Sequence, residues 1–427
     1  MRQILDKLPK FDHAVTGTGA IVRRREFVRA ALAGLAGGFV PLTATAGAPR
    51  VANGYLRTNW SRDPFSLGSY SYIAKGAWRR DHVALGAPVG DRLFFAGEAT
   101  HPTYNSTVHA AYESGLLAAE AIAATRPQTI GIIGAGMSGL AAADALVRQG
   151  FDVTVLEGRD RVGGRILTDT SLGAALDLGA SWIHGIEDNP LAALAERLRV
   201  TTRETSDSYV MRGGDGQRMA DDATPDWLDD VVSIEHSAGA ARRDINMRAY
   251  WRDDDYGGAE VVFPAGYAQL FDAFSSQIRI ELGQAVARVR YTDAQVDLDI
   301  RDGSSRRFDA VIVTVPLGVL KGDAFTFDPP LPAQRQNAIA QLGMGLLDKV
   351  YMRYDNVFWD RDVTWIITPD TGLPPGQFNQ WLNFHPLIGQ PIIMAFNAAQ
   401  PARDLARVTD AELIEKAQQV LHKAYPA

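Results

Sequence analysis

Apolar positions along this chain change period several times, and the changes mark its elements. An apolar run at 130–133 leads into a glycine turn, apolar residues then recur at helical spacing to about Gln149, and a second run fills 153–156. Short apolar runs on either side of a helix suit strands buried on both faces, so the pattern predicts the opening of a βαβ unit. Before it, residues 50–125 read as one compact unit: an extended stretch at 53–60, a Gly/Ser/Tyr-rich stretch at 66–72, a strand at 93–96 and a helix over about 107–124, closed by a linker at 125–128. After it, the chain from Leu172 to about Glu260 is mixed and helical in places, with an acidic, aromatic stretch at 251–256, and reads as a second domain or lid. Alternation returns at 278–300, and a turn at Asp302-Gly303 leads to an apolar strand at 311–315. A helix follows Pro332, strands fill 346–354, 364–368 and 391–396, and an amphipathic helix runs over 410–424. With 427 residues and 46% hydrophobic content, the pattern predicts an α/β fold of two or three domains without internal repeats.

Charge and composition narrow the chemistry. The formal charge is −7 and the 43 basic residues are scattered rather than gathered on one run, which argues against nucleic acid as a partner. The chain has no cysteine, which excludes disulfides, thiolate metal sites, cysteine nucleophiles and thioether attachment of a cofactor. Its histidines show no HExxH or paired spacing, so no metal is assigned.

Arg23-Arg24-Arg25-Glu26-Phe27-Val28-Arg29 precedes an Ala/Leu/Gly stretch ending in Ala46-Gly47-Ala48. That reads as a twin-arginine export signal with a small-residue cleavage site, and hence a periplasmic or secreted protein served by the export machinery; the alternative is a basic helix start before a core helix in a cytoplasmic protein. The apolar stretch is too short and too rich in Gly and Ala to serve as a stable membrane anchor. Loss of residues 1–48 would take the formal charge from −7 to −11, mildly attractive to cations.

Gly134-Ala135-Gly136-Met137-Ser138-Gly139 follows the first apolar run and opens the helix, and Glu157 ends the next strand. Gly134 permits a tight turn, Gly136 lets backbone approach a pyrophosphate, Gly139 allows helix and strand to close, and Glu157 suits the hydroxyls of an adenosine ribose. A glycine turn without a ligand is the alternative, and Gly163-Gly164-Arg165 at short spacing weighs against it.

Residues 129–166 resemble the first FAD segment of the flavin amine oxidases, the family of monoamine oxidases, polyamine oxidases and lysine-specific histone demethylases. The resemblance continues through Asp177-Leu178-Gly179-Ala180-Ser181-Trp182-Ile183-His184-Gly185, through VIVTVPLGVLK at 311–321 and through 342–349. Residues 54–123 (RTNWSRDPFSLGSYSY, then DRLFFAGEATHPTYNSTVHAAYESGLLAAEAIA) resemble the family's C-terminal segment, here placed first. A circular permutation accounts for that order, with new ends near Pro49 and Ala427; a rearrangement in the gene model is the alternative. The implied organisation is a signal and extension at 1–48, a displaced FAD segment at 50–125, a Rossmann FAD segment at 129–185, a shortened helical substrate region at 186–275, FAD-domain strands at 276–322, and substrate-domain strands with a terminal helix at 323–427. The expected fold is thus a Rossmann-like FAD-binding domain with a mixed-sheet plus helical substrate domain. Only about fifteen residues separate the strand near Met211 from Asp226, where polyamine oxidases carry more helical sequence.

The resemblance also implies roles. Lys349 matches the family lysine that holds a water beside the flavin, with an ordinary lysine after a strand as the alternative. Tyr70 and Thr107 match two walls of the cage that steers the amine, and threonine rather than tyrosine at 107 points to the polyamine oxidase and demethylase branches. His184 matches a histidine at the substrate mouth, a structural histidine being the alternative. Ser69 stands where monoamine oxidases carry the cysteine that links FAD, so non-covalent FAD is implied. Glu98 would hold the ribityl or pyrophosphate region together with Gly97 and Val108, and Arg159, Gly179, Ala180, Ser181 and Trp182 fall in matched cofactor segments. Val286 and Val315 would face the adenine and Trp60 the isoalloxazine, although core packing explains these three equally well. Asp253-Asp254-Asp255 would steer a polycation or form a solvated loop. The implied reaction converts a polyamine amine and oxygen to an imine, then an aldehyde, and hydrogen peroxide. An L-amino-acid or monoamine oxidase, or an FAD-binding protein left idle by the shortened lobe, are the other readings.

Overall fold

The structure is a computed structural model and describes residues 50–220, 224–250 and 256–426; the twin-arginine segment, Asp253–Asp255 and Ala427 lie outside the described residues. A five-stranded parallel sheet runs in the order Arg279–Glu281, Asp152–Leu156, Thr129–Ile133, Ala310–Val313, Leu93–Phe95. Its inner strands are buried on both faces, as their unbroken apolar runs require. Helix Met137–Val147 is the crossover between Thr129–Ile133 and Asp152–Leu156, and helix Val108–Ala123 packs on it so closely that a Cβ at Gly115 would stand 2.2 Å from Ser138 O. Glycine there is a packing requirement, because nothing on the facing backbone can move aside.

A four-stranded sheet (Ser305–Phe308, Val296–Ile300, Val286–Tyr291, Thr326–Asp328) flanks this domain. The other large layer is a six-stranded sheet ordered Gly54–Arg57, Leu347–Arg353, Ile392–Ala398, Gln380–Asn383, Trp365–Ile367, Tyr209–Met211. Helix Asp410–Ala424 covers it, starting at a capping box in which Thr409 and Glu412 satisfy each other's backbone N–H groups.

Residues 50–125 are not a unit in space. Gly54–Arg57 pairs with Leu347–Arg353, Tyr70–Tyr72 with Gly343–Gly345, and Leu93–Phe95 with Ala310–Val313, so one stretch of chain supplies strands to three sheets. The sequence reads it as compact because its own turns are local; the partners of its strands lie more than 200 residues away. The segment also meets the far end of the chain: Arg50 Nη1 donates to Tyr425 O at 2.9 Å, His422 Nε2 lies 2.8 Å from Arg50 O, and Ala52 N donates to Gln418 Oε1 at 2.9 Å.

Candidate active site

A cavity of about 1120 Å³ runs between the two large sheets, ample for a dinucleotide-sized ligand with room beside it. Every candidate site residue of the sequence reading except Gly139 lines it. Gly139 serves the turn itself, since a Cβ there would sit 1.9 Å from Gly134 O. Gly134 has φ +108° and would clash with Thr314 through any side chain, whereas Gly136 has open space where its Cβ would be and heads the helix N-terminus. That open cradle, with free helix N–H groups behind it, fits a pyrophosphate. Glu157, buried at the end of its strand, accepts from Ala135 N (2.7 Å) and Arg159 N (2.9 Å), which holds the carboxylate at the cavity wall where a ribose would lie.

Other residues assigned to the cofactor turn out to join the two halves of the site to each other. Glu98 is filled by protein groups: Arg165 Nη1 at 2.8 Å, Ser71 Oγ at 2.6 Å and Ser106 N at 2.9 Å. Burial pushes its carboxyl up, but Arg165, Ser71 and Ser106 together outweigh that and hold it below the ordinary range. Arg159, expected at the cofactor, spends its guanidinium on both oxygens of Asp63 (2.7 and 2.8 Å) and on Ser66 Oγ. Its reach for a ligand is correspondingly reduced. Thr107 lies on the wall, yet its hydroxyl caps helix Val108–Ala123, accepting from Ala110 N at 3.1 Å and donating to Tyr104 O at 2.7 Å. Its methyl group is what remains for a substrate. Gly97, Val108, Gly163, Gly164, Val286 and Val315 complete the walls of the cofactor half.

Lys349 projects from strand Leu347–Arg353 onto the Asp177–Ser181 loop. Nζ donates to Asp177 O (2.9 Å) and Gly179 O (2.6 Å) and meets Ser181 Oγ at 2.6 Å. Burial pushes its pKa down to about 7, against the pull of Asp177. The arrangement tolerates both protonation states. A charged Nζ donates three hydrogen bonds; a neutral one donates two to the carbonyls and accepts the third from the Ser181 hydroxyl. Nζ can therefore take up or release a proton without leaving a buried partner empty. Trp60, expected near the isoalloxazine, is buried with Nε1 donating to Leu178 O at 3.3 Å, bracing the same loop.

Around Lys349 the walls are aromatic. Trp182 stacks on Trp365 with centroids 6.1 Å apart, Phe396 lies 6.0 Å from Trp182, and Nζ stands 5.8 Å from the Trp182 ring. Tyr70 closes another side and donates its hydroxyl to His236 O. Ala180 and Ser181 lie between these walls and the cofactor half. At the rim, His184 Nδ1 sits 2.5 Å from Glu260 Oε2, with both side chains about half exposed. Glu187, Glu204 and Asp207 line the same cavity and are exposed. Burial, then Glu260 and Glu204, push the Asp207 carboxyl up, so these carboxylates feel one another's charge.

A model of the family described as flavin containing amine oxidoreductase matches residues 21–123, 137–225 and 236–427. The chain belongs to this family. It is 29% identical to polyamine oxidase 4 of Oryza sativa subsp. japonica, over 70% of this chain and 73% of that protein, and 30% identical to probable polyamine oxidase 4 of Arabidopsis thaliana, over 69% and 71%. It is also 29% identical to lysine-specific histone demethylase 1 homolog 1 of Oryza sativa subsp. japonica, over 70% of this chain but 43% of that protein. A solved structure of a putrescine oxidase triple mutant made for redesign of cofactor binding shares the fold at TM-score 0.53 and 21% identity, over 70% of this chain and 81% of that one. FAD is the cofactor of such an enzyme, and the Gly134–Arg165 cradle is where this amine oxidoreductase would hold it.

Several site residues escaped the sequence reading. Asp63 and Ser66 hold the Arg159 guanidinium, and Ser66 also lines the cavity. His236, Gln380, Trp365 and Phe396 line the substrate end from four separate elements. Gln380–Asn383 gave no strand signal of its own, because a short strand buried on both faces carries no alternation.

Proposed function

We propose that this flavin amine oxidoreductase oxidises polyamine-type amines, removing a hydride from the carbon beside a primary or secondary nitrogen. The imine is hydrolysed to an aldehyde, and oxygen is reduced to hydrogen peroxide. FAD supplies the hydride acceptor, held without covalent attachment through cysteine, since the chain has none. The chain's own groups bind the chain-like substrate, exclude water with Trp182, Trp365, Phe396 and Tyr70, and hold a proton at Lys349 Nζ.

The observation that carries this reading is the rim of mutually repelling carboxylates, Glu204, Asp207 and Glu260, on a cavity whose depth is aromatic. A second ammonium group on the substrate would relieve that repulsion while its partner nitrogen lies deep in the site. An α-amino acid would instead bring a carboxylate toward these carboxylates. Residues 228–250 supply Val232, His236 and Tyr250 to the wall, so the shortened lobe still covers the site, which weighs against an idle flavoprotein.

The purified holoenzyme should release peroxide with spermidine, spermine or putrescine in preference to benzylamine and L-amino acids. Bound flavin with no turnover on any amine sinks the proposal, and preference for an L-amino acid replaces it with the alternative.

Two further parts of the reading are proposals. The segment order is a circular permutation of the family's, a reading supported by the contact of the first segment with the far end of the chain, where Arg50 meets Tyr425 and His422. A chain reordered to run 129–427 and then 50–125 should bind FAD with an unchanged spectrum. Arg23-Arg24-Arg25 directs twin-arginine export, and Arg24→Lys with Arg25→Lys should abolish activity outside the cytoplasm.

A further inference from the structure

His236 follows a π-helical stretch, Asp230–Glu235, a rare local geometry that concentrates at functional sites because it re-aims the side chains after it. Its ring lies on the cavity wall beside Phe396, with centroids 5.8 Å apart, and its carbonyl takes the Tyr70 hydroxyl, which fixes the backbone at that point. Nδ1 lies 2.7 Å from Gln380 Oε1. An amide oxygen can only accept, so Nδ1 carries the hydrogen and Nε2 carries the lone pair. Nε2 is buried and has no hydrogen-bond partner among the described residues. Burial lowers the imidazole to about 4, against the opposing effect of Gln380, so the ring is neutral and the lone pair stays available at physiological pH.

A buried acceptor without a donor is costly to maintain, and one on the wall of a ligand cavity finds its donor in the ligand. The geometry points to His236 as a substrate-binding residue whose Nε2 accepts the N–H of the amine held among Tyr70, Trp365 and Phe396. A neutral acceptor suits this task. It orients a nitrogen that must be uncharged to give up a hydride, whereas a carboxylate there would hold the amine in its protonated, unreactive form. Gln380 is the positioning residue, since its oxygen selects the tautomer.

This inference rests on the amine oxidase reading, and anaerobic reduction of the flavin by spermidine tests the two separately. The dependence of the reduction rate on spermidine concentration gives a dissociation constant and a limiting rate for each variant holoenzyme. His236→Phe keeps the ring volume and removes the acceptor; His236→Gln restores an acceptor near the Nε2 position. The expected result is a dissociation constant raised about tenfold in His236→Phe, a smaller fall in limiting rate, and recovery to within about threefold of wild type in His236→Gln. Should His236→Phe lose its flavin, Gln380→Met takes its place, leaving the ring but freeing the tautomer, and it must raise the constant severalfold. An unchanged constant in whichever of these variants retains flavin overturns the role of His236 and leaves the amine reading standing. A wild-type flavin that spermidine neither binds near nor reduces overturns both.

Discussion

Lys349→Met separates a structural lysine from a chemical one. The substitution replaces a buried amine with an apolar chain of similar length. It removes the hydrogen bonds from Nζ to Asp177 O and Gly179 O and the contact with Ser181 Oγ. Bonds of this kind to a charged group are each worth about 1.5–3 kcal/mol. Against that stands the burial of the charge: a pKa pushed from 10.5 down to about 7 corresponds to on the order of 5 kcal/mol spent on keeping the ammonium dry, at about 1.36 kcal/mol per unit. Asp177 O also keeps a donor in Tyr351 Oη at 2.7 Å. The two effects nearly cancel, so the variant should stay folded, yellow and within about 2 kcal/mol of wild-type stability. Turnover should fall by about 100-fold or more, the usual worth of a positioned proton-transfer group. The pH dependence gives a second check. Neutral Nζ becomes available as pH rises through about 7, so wild-type kcat should climb over that limb and the limb should vanish in the variant. The folded lysine releases its proton near 7 and the unfolded one near 10.4, so between those values the unfolded chain binds more protons and stability rises with pH. The variant should lack that rise. A rate within threefold of wild type, or a limb at pH 7 that survives the substitution, would refute the chemical role and leave Lys349 as a clamp on its loop.

Four other substitutions test the remaining parts of the site and its packing. Gly136→Val places a side chain where the backbone has room and nothing else, so it should fold normally but purify without flavin, read by absorbance beside an unchanged circular dichroism spectrum. Gly115→Ala does the opposite: a Cβ 2.2 Å from Ser138 O should cost about 1–3 kcal/mol through overpacking, visible as a lowered Tm. Glu98→Ala leaves the partly buried Arg165 without its carboxylate, with Ser69 O as its remaining acceptor, and should destabilise by about 2–3 kcal/mol, below the cost of breaking a fully buried pair. Because the Glu98 carboxyl is held below its unfolded value, the wild-type advantage should be present above the unfolded pKa of about 4.3 and disappear as pH falls through the lower folded one. Asp207→Lys should raise KM for spermidine several-fold at low salt, less at high salt, and spare benzylamine; equal effects on both amines would remove the rim from the proposal.

Local chemistry was legible in the sequence where local geometry alone dictates it. Gly134, with its positive φ, and Gly139, pressed against Gly134 O, are demanded by one turn, and the turn announces itself within six residues. Helix Asp410–Ala424 was legible for the same reason: its Thr409 and Glu412 cap and its apolar stripe are all encoded in one stretch. The ion-pair partners of Arg159 and Glu98 were not legible, because Asp63 and Arg165 come from the other side of the segment boundary. A motif names the neighbourhood of a side chain but not which neighbour uses up its hydrogen bonds. His236 left no trace at all, since its meaning comes from Gln380 and Phe396 on distant strands.

The same non-local ties make segment order a secondary matter. Glu98 to Arg165, Asp63 to Arg159, and Thr58 with Trp60 N on Asp348 all cross from the first segment to the rest of the chain through side chains and strand edges, not through the linker at 125–128. What the linker does is bring helix Val108–Ala123 directly into strand Thr129–Ile133, and those two elements already belong side by side, because the helix must lie with Gly115 against the crossover helix that follows that strand. A short connection between elements that touch costs little in loop entropy. The cavity is therefore defined by which segments meet across it, and a chain that starts on one wall can build the same walls as a chain that ends there.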